Sequence, residues 1–411
     1  MRRRPPPPCR RRAANKVTGA PPMGRGPGSG PGQLRESLNL PVTSGLGLAV
    51  SGGGDSMAML HLLAPLRPRV ATVNHHLRPE AEAEAAMVAQ TCARLGLEHQ
   101  TLHWHWDGRG NLSDAARRAR RDLLAAWNPV VLLAHTQDDV AETFLMRLTR
   151  GAGVDGLAAM SPAFSHAGAT FLRPFLHIPR ATLRAYLTEI GAPWAEDPTN
   201  RDPHYLRART RAALSDLPTE AIAQSARHLS EARQALDSLA DLWAPKAFAE
   251  DRGTLLLRDL AGAPPETRRR LVTRALLWLA PAPYPPRGEA LTRFLAALAQ
   301  ARPATLAGTR FDGKRLYREA RSLPPDVPAS QIWDARFTAT APPGATLGAL
   351  GPDLPKDWRE TGLPRAALAS SPALRLEGRV ISAPAIGVNQ PETTIRPCFG
   401  EFLSLTAALS H

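Results

Sequence analysis

Cysteine, lysine and long apolar runs are all scarce in this chain of 411 residues. The three cysteines, Cys9, Cys92 and Cys398, lie far apart and form no CxxC pair and no Cys/His cluster. This argues against a disulfide scaffold or a zinc module and favours a reducing cytoplasm. No apolar run approaches the roughly 20 residues that span a bilayer, so the sequence predicts no integral membrane protein.

The formal net charge of +14 favours a polyanionic partner, but the basic residues are unevenly placed. Residues 1–36 carry nine basic residues and one acid in a Pro/Gly-rich stretch, which we interpret as a disordered basic tail. This stretch lacks the apolar core of a secretory signal. Only four of the 51 basic residues are lysines, and such arginine richness often reflects genome composition, so local clusters are more informative. They lie at 117–121, 207–211 and 268–274.

From Leu46 onward, short apolar strands alternate with amphipathic helices. We predict strands at 46–50, 69–73 and 130–134, and helices at 80–95, 113–127 (with Ser113 as its N-cap) and 137–148. This alternation indicates an α/β fold with a doubly wound parallel sheet, in which ligands bind at the carboxyl ends of the strands. We expect this domain to span 37–217, a helical region to span 218–324, and a small mixed module to span 325–411.

A glycine loop, Ser51-Gly-Gly-Gly-Asp-Ser56, follows the first strand and opens a helix. Its glycines let the backbone approach a ligand closely, and the N–H groups of a helix start attract phosphate. The loop has neither the Gly-Lys-Ser/Thr ending of a Walker A motif nor the spacing of a dinucleotide fingerprint. Asp55 could hold a magnesium ion that bridges phosphate oxygens. The alternative is a plain strand–helix turn with Asp55 and Ser56 as capping residues.

An acidic turn, His135-Thr-Gln-Asp-Asp-Val-Ala-Glu-Thr143, follows the third predicted strand. Asp138, Asp139 and Glu142 share roughly one helical face, and like charges there cost stability unless a cation offsets them. The cation could be a metal or the ammonium group of a substrate. A capping box starting at Thr136, with acids that suit the helix dipole, is the simpler alternative, although Glu142 extends beyond it.

With both sites in view, the sequence resembles the tRNA(Ile)-lysidine synthase family of the N-type ATP pyrophosphatase, or PP-loop, superfamily. The glycine loop is common to the superfamily, whereas the later blocks are specific to the lysidine enzymes. The matching segments are residues 51–56, 74–78, 116–120, 134–143, 147–157, 173–176 and 194–200. Arg121 and Ala208 depart from the family pattern, which has Tyr and Asn at these positions.

The resemblance implies an enzyme that activates the wobble cytidine of the CAU-anticodon isoleucine tRNA with ATP. Free L-lysine then displaces AMP to form lysidine. By the same resemblance, Asp55, Asp138, Asp139 and Glu142 are catalytic, and Asp55 and Asp138 hold Mg²⁺. The residues implied for ATP are Ser51, Gly52, Gly53, Gly54, Asp55, Ser56, Asn74, His75 and Arg117. Those implied for lysine or tRNA are His135, Glu196, Asp197, Asn200, Arg207, Arg209 and Arg211.

Two other functions share some of these sequence features. A tRNA 2-thiolase of the same superfamily needs reactive cysteines near the loop, and the sequence offers none. A non-catalytic basic RNA-binding protein would gain affinity by losing the acidic residues, which this chain keeps. For RNA contacts we expect the helical region after Pro218, with the arginines at 268–274 on phosphates. The isolated histidines, His61, His99, His103 and His105, are interpreted as structural, and Trp104 and Trp106 as packing residues and not platforms for bases. The sequence does not determine the oligomeric state.

Overall fold

The computed structural model describes residue 38 and residues 45–158, 160–196, 206–282, 284–352 and 354–397. These residues form two compact units. Unit 1 contains the described residues up to 136 together with 177–196, and unit 2 contains 137–176 and the described residues from 206 onward. The predicted tail (1–36), Asp197 and Asn200 lie outside the described residues.

The first twelve elements in chain order belong to the region for which the sequence predicted an α/β domain. They are β1 (Gly47–Ala49), α1 (Gly54–Leu63), β2 (Arg69–Asn74), α2 (Glu80–Leu95), β3 (His99–His103), α3 (Leu112–Trp127), β4 (Val130–Leu133), α4 (Gln137–Leu148), α5 (Val154–Leu157), β5 (Ala163–His166), β6 (Ala169–Leu172) and α6 (Arg180–Glu189).

Unit 1 is built on parallel strands in the order β3-β2-β1-β4. Leu48 of β1 lies opposite Val70 of β2 on one side and Leu132 of β4 on the other, and all three are fully buried. Apolar runs of this kind suit strands covered on both faces by helices. This is the predicted doubly wound sheet. Its strand order reverses between β1 and β4, so the loops after these two strands lie at the switch point where such sheets bind ligands.

Helix bounds in unit 1 follow the sequence prediction closely, with two corrections. Helix α2 ends as expected at Gly96, whose φ of +67° suits a glycine C-cap. Helix α3 is capped by Asn111, whose side chain accepts a hydrogen bond from Asp114 N at 3.1 Å, so Ser113 is not its cap. Strand β3 was missed because its sequence, HQTLH, is polar and half exposed.

Unit 2 continues with α7 (Leu206–Leu214), α8 (Thr219–Ala247), β7 (Phe248–Asp251), β8 (Thr254–Leu257), α9 (Pro265–Leu279), α10 (Gly288–Ala299), β9 (Ala304–Leu306), β10 (Thr309–Phe311) and β11 (Arg315–Arg318). The 29-residue helix α8 packs against α4, α5 and α9. Strands β5 and β6 form an antiparallel hairpin.

Strands β7 to β11 form a five-stranded antiparallel sheet in the order β7-β8-β11-β10-β9. Its core joins the sheet to α8, α9 and α10 through residues such as Phe248, Leu276 and Phe311. The region predicted to be helical therefore contains a sheet as well as helices α8, α9 and α10. These strands have only three or four residues each, too few for a period of two to stand out.

The C-terminal module contains β12 (Val327–Pro328), β13 (Phe337–Thr340), β14 (Thr346–Ala349), α11 (Arg365–Ala369), β15 (Pro372–Leu376), β16 (Arg379–Ala383), β17 (Val388–Asn389) and β18 (Thr394–Pro397). It pairs them as a five-stranded sheet, β12-β14-β15-β16-β17, and a two-stranded sheet, β13-β18. Trp333 is fully buried in its core. None of the helices that the structure describes is both long and apolar enough to cross a membrane.

Candidate active site

The glycine loop connects β1 to α1 at the switch point of the sheet. Gly52 adopts φ +88°, a conformation that only glycine adopts without strain, and a Cβ there would lie 3.4 Å from both Glu84 and Met87 of α2. The Ser56 hydroxyl donates to Gly53 O at 2.8 Å and accepts from Ser51 N at 3.2 Å. The Ser56 hydroxyl thus fixes the backbone of the loop at the start of α1, where free N–H groups bind anions.

A second segment, residues 194–196, braces the glycine loop from the side. Ala195 N donates to Gly52 O at 2.9 Å, and Ala195 forms a parallel bridge with Gly53. The Trp194 ring lies 3.5 Å from the position of a Cβ on Gly54, with the Arg184 guanidinium over the ring at 5.8 Å. Arg184 also pairs with the exposed Glu196. Glu196 therefore follows directly the backbone that braces the glycine loop, and its role in binding lysine or tRNA stays a prediction.

Asp55, the residue predicted to hold magnesium, is paired with an arginine that the sequence analysis missed. Arg180 Nε donates to Asp55 Oδ2 at 3.0 Å, and the two side chains are 18% and 21% exposed. Arg180 is the first residue of α6, which packs on α1, so its side chain reaches the first turn of α1. The pair spans 125 positions of sequence, and no spacing rule could have connected them.

The turn after β2 places Asn74 and His75 at the same carboxyl edge of the sheet. Asn74 is buried, and its Oδ1 accepts from His76 N at 2.9 Å, which fixes the turn. Burial lowers the pKa of His75, with further contributions from the positive charge of Arg120 and from His76. His75 is therefore neutral near pH 7. Arg117 lies on an exposed part of α3, so Arg120 is the arginine of this helix that acts on His75.

The acidic helix α4 belongs to unit 2 and contains the three predicted carboxylates. Asp139 and Glu142 are buried, with 6% and 1% of their surface exposed, whereas Asp138 is half-buried. His135 is half-buried and lies in the chain between β4 and α4. Its backbone N–H donates to Leu133 O at 3.0 Å.

Two of the arginines predicted for lysine or tRNA engage these buried acids. Arg207 donates through Nε to Glu142 and through Nη2 to Asp139, both at 2.6 Å. Arg211 Nε donates to the other oxygen of Glu142 at 2.5 Å. The negative charges of Asp139 and Glu142 are thus offset by two arginines of the chain itself, both on α7. Arg209, on another face of α7, is exposed.

The arginine cluster of α9 corrects another expectation. Arg269 and Arg270 both pair with Asp155 of α5, and Arg270 also binds Asp237 at 2.8 Å. Arg274 binds Asp241 at 2.5 Å. Arg270 is only 5% exposed, so its guanidinium group ties α9 to α5 and α8 and is not available to RNA phosphates. Asp155 lies in the segment 147–157 that matched the family, which gives part of that motif a structural role.

The sequence of this chain matches a known family model and several named proteins. Residues 32–217 match the family model of the PP-loop domain. The chain is 42% identical to the tRNA(Ile)-lysidine synthase of Ruegeria pomeroyi, over 86% of this chain and 92% of that protein. It is 36% identical to the protein of the same name from Zymomonas mobilis, over 71% and 92%. A solved U34-tRNA thiolase from Methanococcus maripaludis aligns with a TM-score of 0.41 at 18% identity, covering 49% of this chain and 78% of that one.

A glycine loop at the switch point of a parallel sheet, in a segment that matches this model, defines a PP-loop protein that binds ATP. Within that class, the identities of 42% and 36%, each over 92% of the relative's length, indicate one particular family. The chain belongs to the tRNA(Ile)-lysidine synthase family. The predicted family and fold class are confirmed.

Proposed function

We propose that this protein joins lysine to the wobble cytidine, position 34, of the CAU-anticodon isoleucine tRNA. ATP activates the C2 oxygen of the base and leaves an adenylated cytidine and pyrophosphate. The ε-amine of free lysine then attacks C2 and displaces AMP, which gives lysidine. The observation that carries this proposal is the 42% identity to a lysidine synthase over 92% of its length, together with an intact glycine loop.

We assign ATP to the loop of Ser51–Ser56 and the turn at Asn74 and His75, with Arg117 as a further candidate. The N–H groups at the start of α1 suit phosphate oxygens, and a neutral His75 suits an uncharged base. The loop contains no lysine, so its positive charge must come from elsewhere. Arg180, bonded to Asp55, and Arg184, whose Nε lies 3.7 Å from the position of a Cβ on Gly54, are two such charges, and we propose that Arg180 orients the Asp55 carboxylate.

Mg²⁺ is assigned to Asp55 and Asp138 as a proposal based on their donor chemistry. Mg²⁺ is usually held by one or two carboxylates plus substrate phosphates. Both carboxylates are partly exposed, as this role requires. When bound, the ion offsets the negative charge that pyrophosphate carries away.

Lysine is assigned to the acidic helix, with different tasks for its three carboxylates. We propose that the half-buried Asp138 orients the substrate ammonium and that Asp138, with His135 three residues before it, promotes loss of the ammonium proton. Asp139 and Glu142 hold α4 to α7 through Arg207 and Arg211, so we assign them a positioning role. Glu196, Asp197 and Asn200 remain candidates for the reacting base, and Arg209 for phosphate. We expect the reaction to occur in the cytoplasm.

The test is transfer of radiolabelled lysine to an unmodified CAU-anticodon transcript in the presence of ATP and Mg²⁺. We expect the transcript to become labelled, and a matched transcript with uridine at position 34 to stay unlabelled. If the CAU transcript also stays unlabelled, while an established lysidine synthase labels the same sample, the proposal is wrong. Incorporation of sulfur instead of lysine would indicate a 2-thiolase. Tight tRNA binding without pyrophosphate release would indicate a non-catalytic RNA-binding protein.

A further inference from the structure

Three histidines that the sequence treats as unrelated meet at the carboxyl edge of unit 1. His76, from the turn after β2, stacks on His105 with ring centroids 4.4 Å apart and planes 10° apart. On its other side it meets the ring of His103, at the end of β3, edge to edge in nearly the same plane, with centroids 5.1 Å apart and planes 20° apart. His76 Nε2 and His103 Nδ1 are 2.9 Å apart, a hydrogen bond that one proton serves. We call these three rings the histidine stack.

The histidine stack is not explained by packing, because all three side chains are exposed. Aromatic rings in a core are shielded from water and contribute through buried area, which these do not. The backbone under them is firmly held: Trp104 N donates to Asn74 O at 3.0 Å, and the Trp104 ring meets His75 edge-on at 5.5 Å. A backbone held by these contacts therefore presents the three planar rings to solvent.

A metal ion does not account for the histidine stack either. Metal-binding imidazoles direct their nitrogens toward one shared point, whereas His76 and His105 lie face to face and His76 and His103 are hydrogen-bonded directly to each other. No group of three or more metal-ligating side chains in the part of the chain that the structure describes is arranged to hold an ion.

The surroundings of the histidine stack fit a nucleic acid. The next aromatic residue along the chain, Trp106, is 43% exposed, and its Nε1 donates to Arg109 O at 3.3 Å, which closes the loop after β3. Residues 99–121 contain five arginines and two aspartates, a net charge of +3. Asp107 is engaged by the backbone N–H of Arg109 at 3.0 Å, and the Arg109 side chain is exposed. Aromatic faces beside exposed positive charge are the features that bind unstacked bases and their phosphates.

We propose that the histidine stack and Trp106 form a platform for one unstacked base of the tRNA, with Arg109 on an adjoining phosphate. This inference rests on the proposed function, since the family substrate is an RNA. The platform reads no sequence by itself, because every base has a face that can stack. It instead holds the RNA in register at the same carboxyl edge as the nucleotide loop of unit 1. These are positioning residues and perform no chemistry.

The test compares two variants of one ring, His105→Ala and His105→Phe, by tRNA dissociation constants measured over a range of salt concentrations. Loss of a stacking ring typically weakens binding by about 5-fold to about 150-fold, so we expect His105→Ala to bind tRNA at least about 5-fold more weakly. His105→Phe keeps a planar face and should restore binding. Trp106→Ala should behave like His105→Ala, and the KM for ATP should not change in any of them.

Salt dependence separates stacking from charge. His105→Ala should leave the slope of log K against log salt unchanged, because no phosphate contact is lost, whereas Arg109→Ala should reduce it by about 1. Equal weakening by His105→Ala and His105→Phe, or no weakening in either, overturns the platform. Lysidine formation by a variant with unchanged tRNA affinity refutes the platform and leaves the proposed function standing. Failure of the wild-type protein to form lysidine refutes the function, while the affinities still test the platform.

Discussion

Replacing Glu142 by glutamine removes the negative charge from a carboxylate whose side chain is only 2% exposed. Its two oxygens accept from Arg207 Nε at 2.6 Å and Arg211 Nε at 2.5 Å. A glutamine has the same shape, but its amide nitrogen would face one of the two guanidinium groups, donor against donor. If Glu142 positions α4, this change should loosen the contact between α4 and α7.

The cost can be estimated from burial. Breaking a buried ion pair by removing one partner usually costs about 3–5 kcal/mol. Arg207 and Arg211 are 41% and 29% exposed and can turn to water, so we expect the low end, about 3 kcal/mol. Asp138→Asn is the matched control, since Asp138 is half-buried in the first helical turn and its loss should cost at most about 1 kcal/mol.

Hydrogen exchange of the peptides covering 137–148 and 206–214 measures the loss of stability at the contact between α4 and α7. A loss of about 3 kcal/mol should speed exchange there by about 100-fold in Glu142→Gln, while Asp138→Asn changes it little. Lysine transfer should show a different pattern. Asp138→Asn should cut it by orders of magnitude with tRNA affinity nearly intact. Unchanged exchange in Glu142→Gln, combined with abolished lysine transfer, would show that Glu142 contacts substrate and that the positioning role is wrong.

Three further outcomes follow from other parts of the chain. Gly52→Ala places a side chain at φ +88°, so it should lower the free energy of unfolding by about 1–2 kcal/mol and raise the KM for ATP. An unchanged KM would contradict the assignment of ATP to the glycine loop. Arg270→Gln should destabilise unit 2 by about 3–5 kcal/mol but leave the salt slope of tRNA binding unchanged, whereas a slope reduced by about 1 would place this arginine on phosphate. Burial lowers the pKa of three histidines below the ordinary 6.5, so below pH 6.5 the unfolded chain binds protons that the native chain does not. The urea midpoint should therefore be lower at pH 5.5 than at pH 7.5, and an equal or higher midpoint would refute this. The histidines are His61, His75 and His99.

The sequence predicted best where a local pattern determines structure. The bounds of α2 and α4 follow from apolar spacing and end signals, and the glycine loop follows from backbone freedom that only glycine has. The sheet of unit 2 was missed because strands such as β9 have three residues. The partner of Asp55 was missed for a different reason, since ion pairs between distant positions leave no periodic trace.

The arginines show how far a charge cluster can be interpreted without a structure. Arg207 and Arg211 are four residues apart, which places them on one face of α7, whereas Arg209 lies on another face. Helical spacing therefore separates the three, but it cannot say which face meets the carboxylates of α4 and which meets solvent. The same holds for Arg270, whose acidic partners lie on other helices. An arginine already bonded to a buried carboxylate neutralises no RNA phosphate, so it displaces none of the counterions condensed on the RNA. The salt slope of tRNA binding should therefore reflect exposed arginines such as Arg209 and Arg109, and fall well below the number that the net charge of +14 suggests.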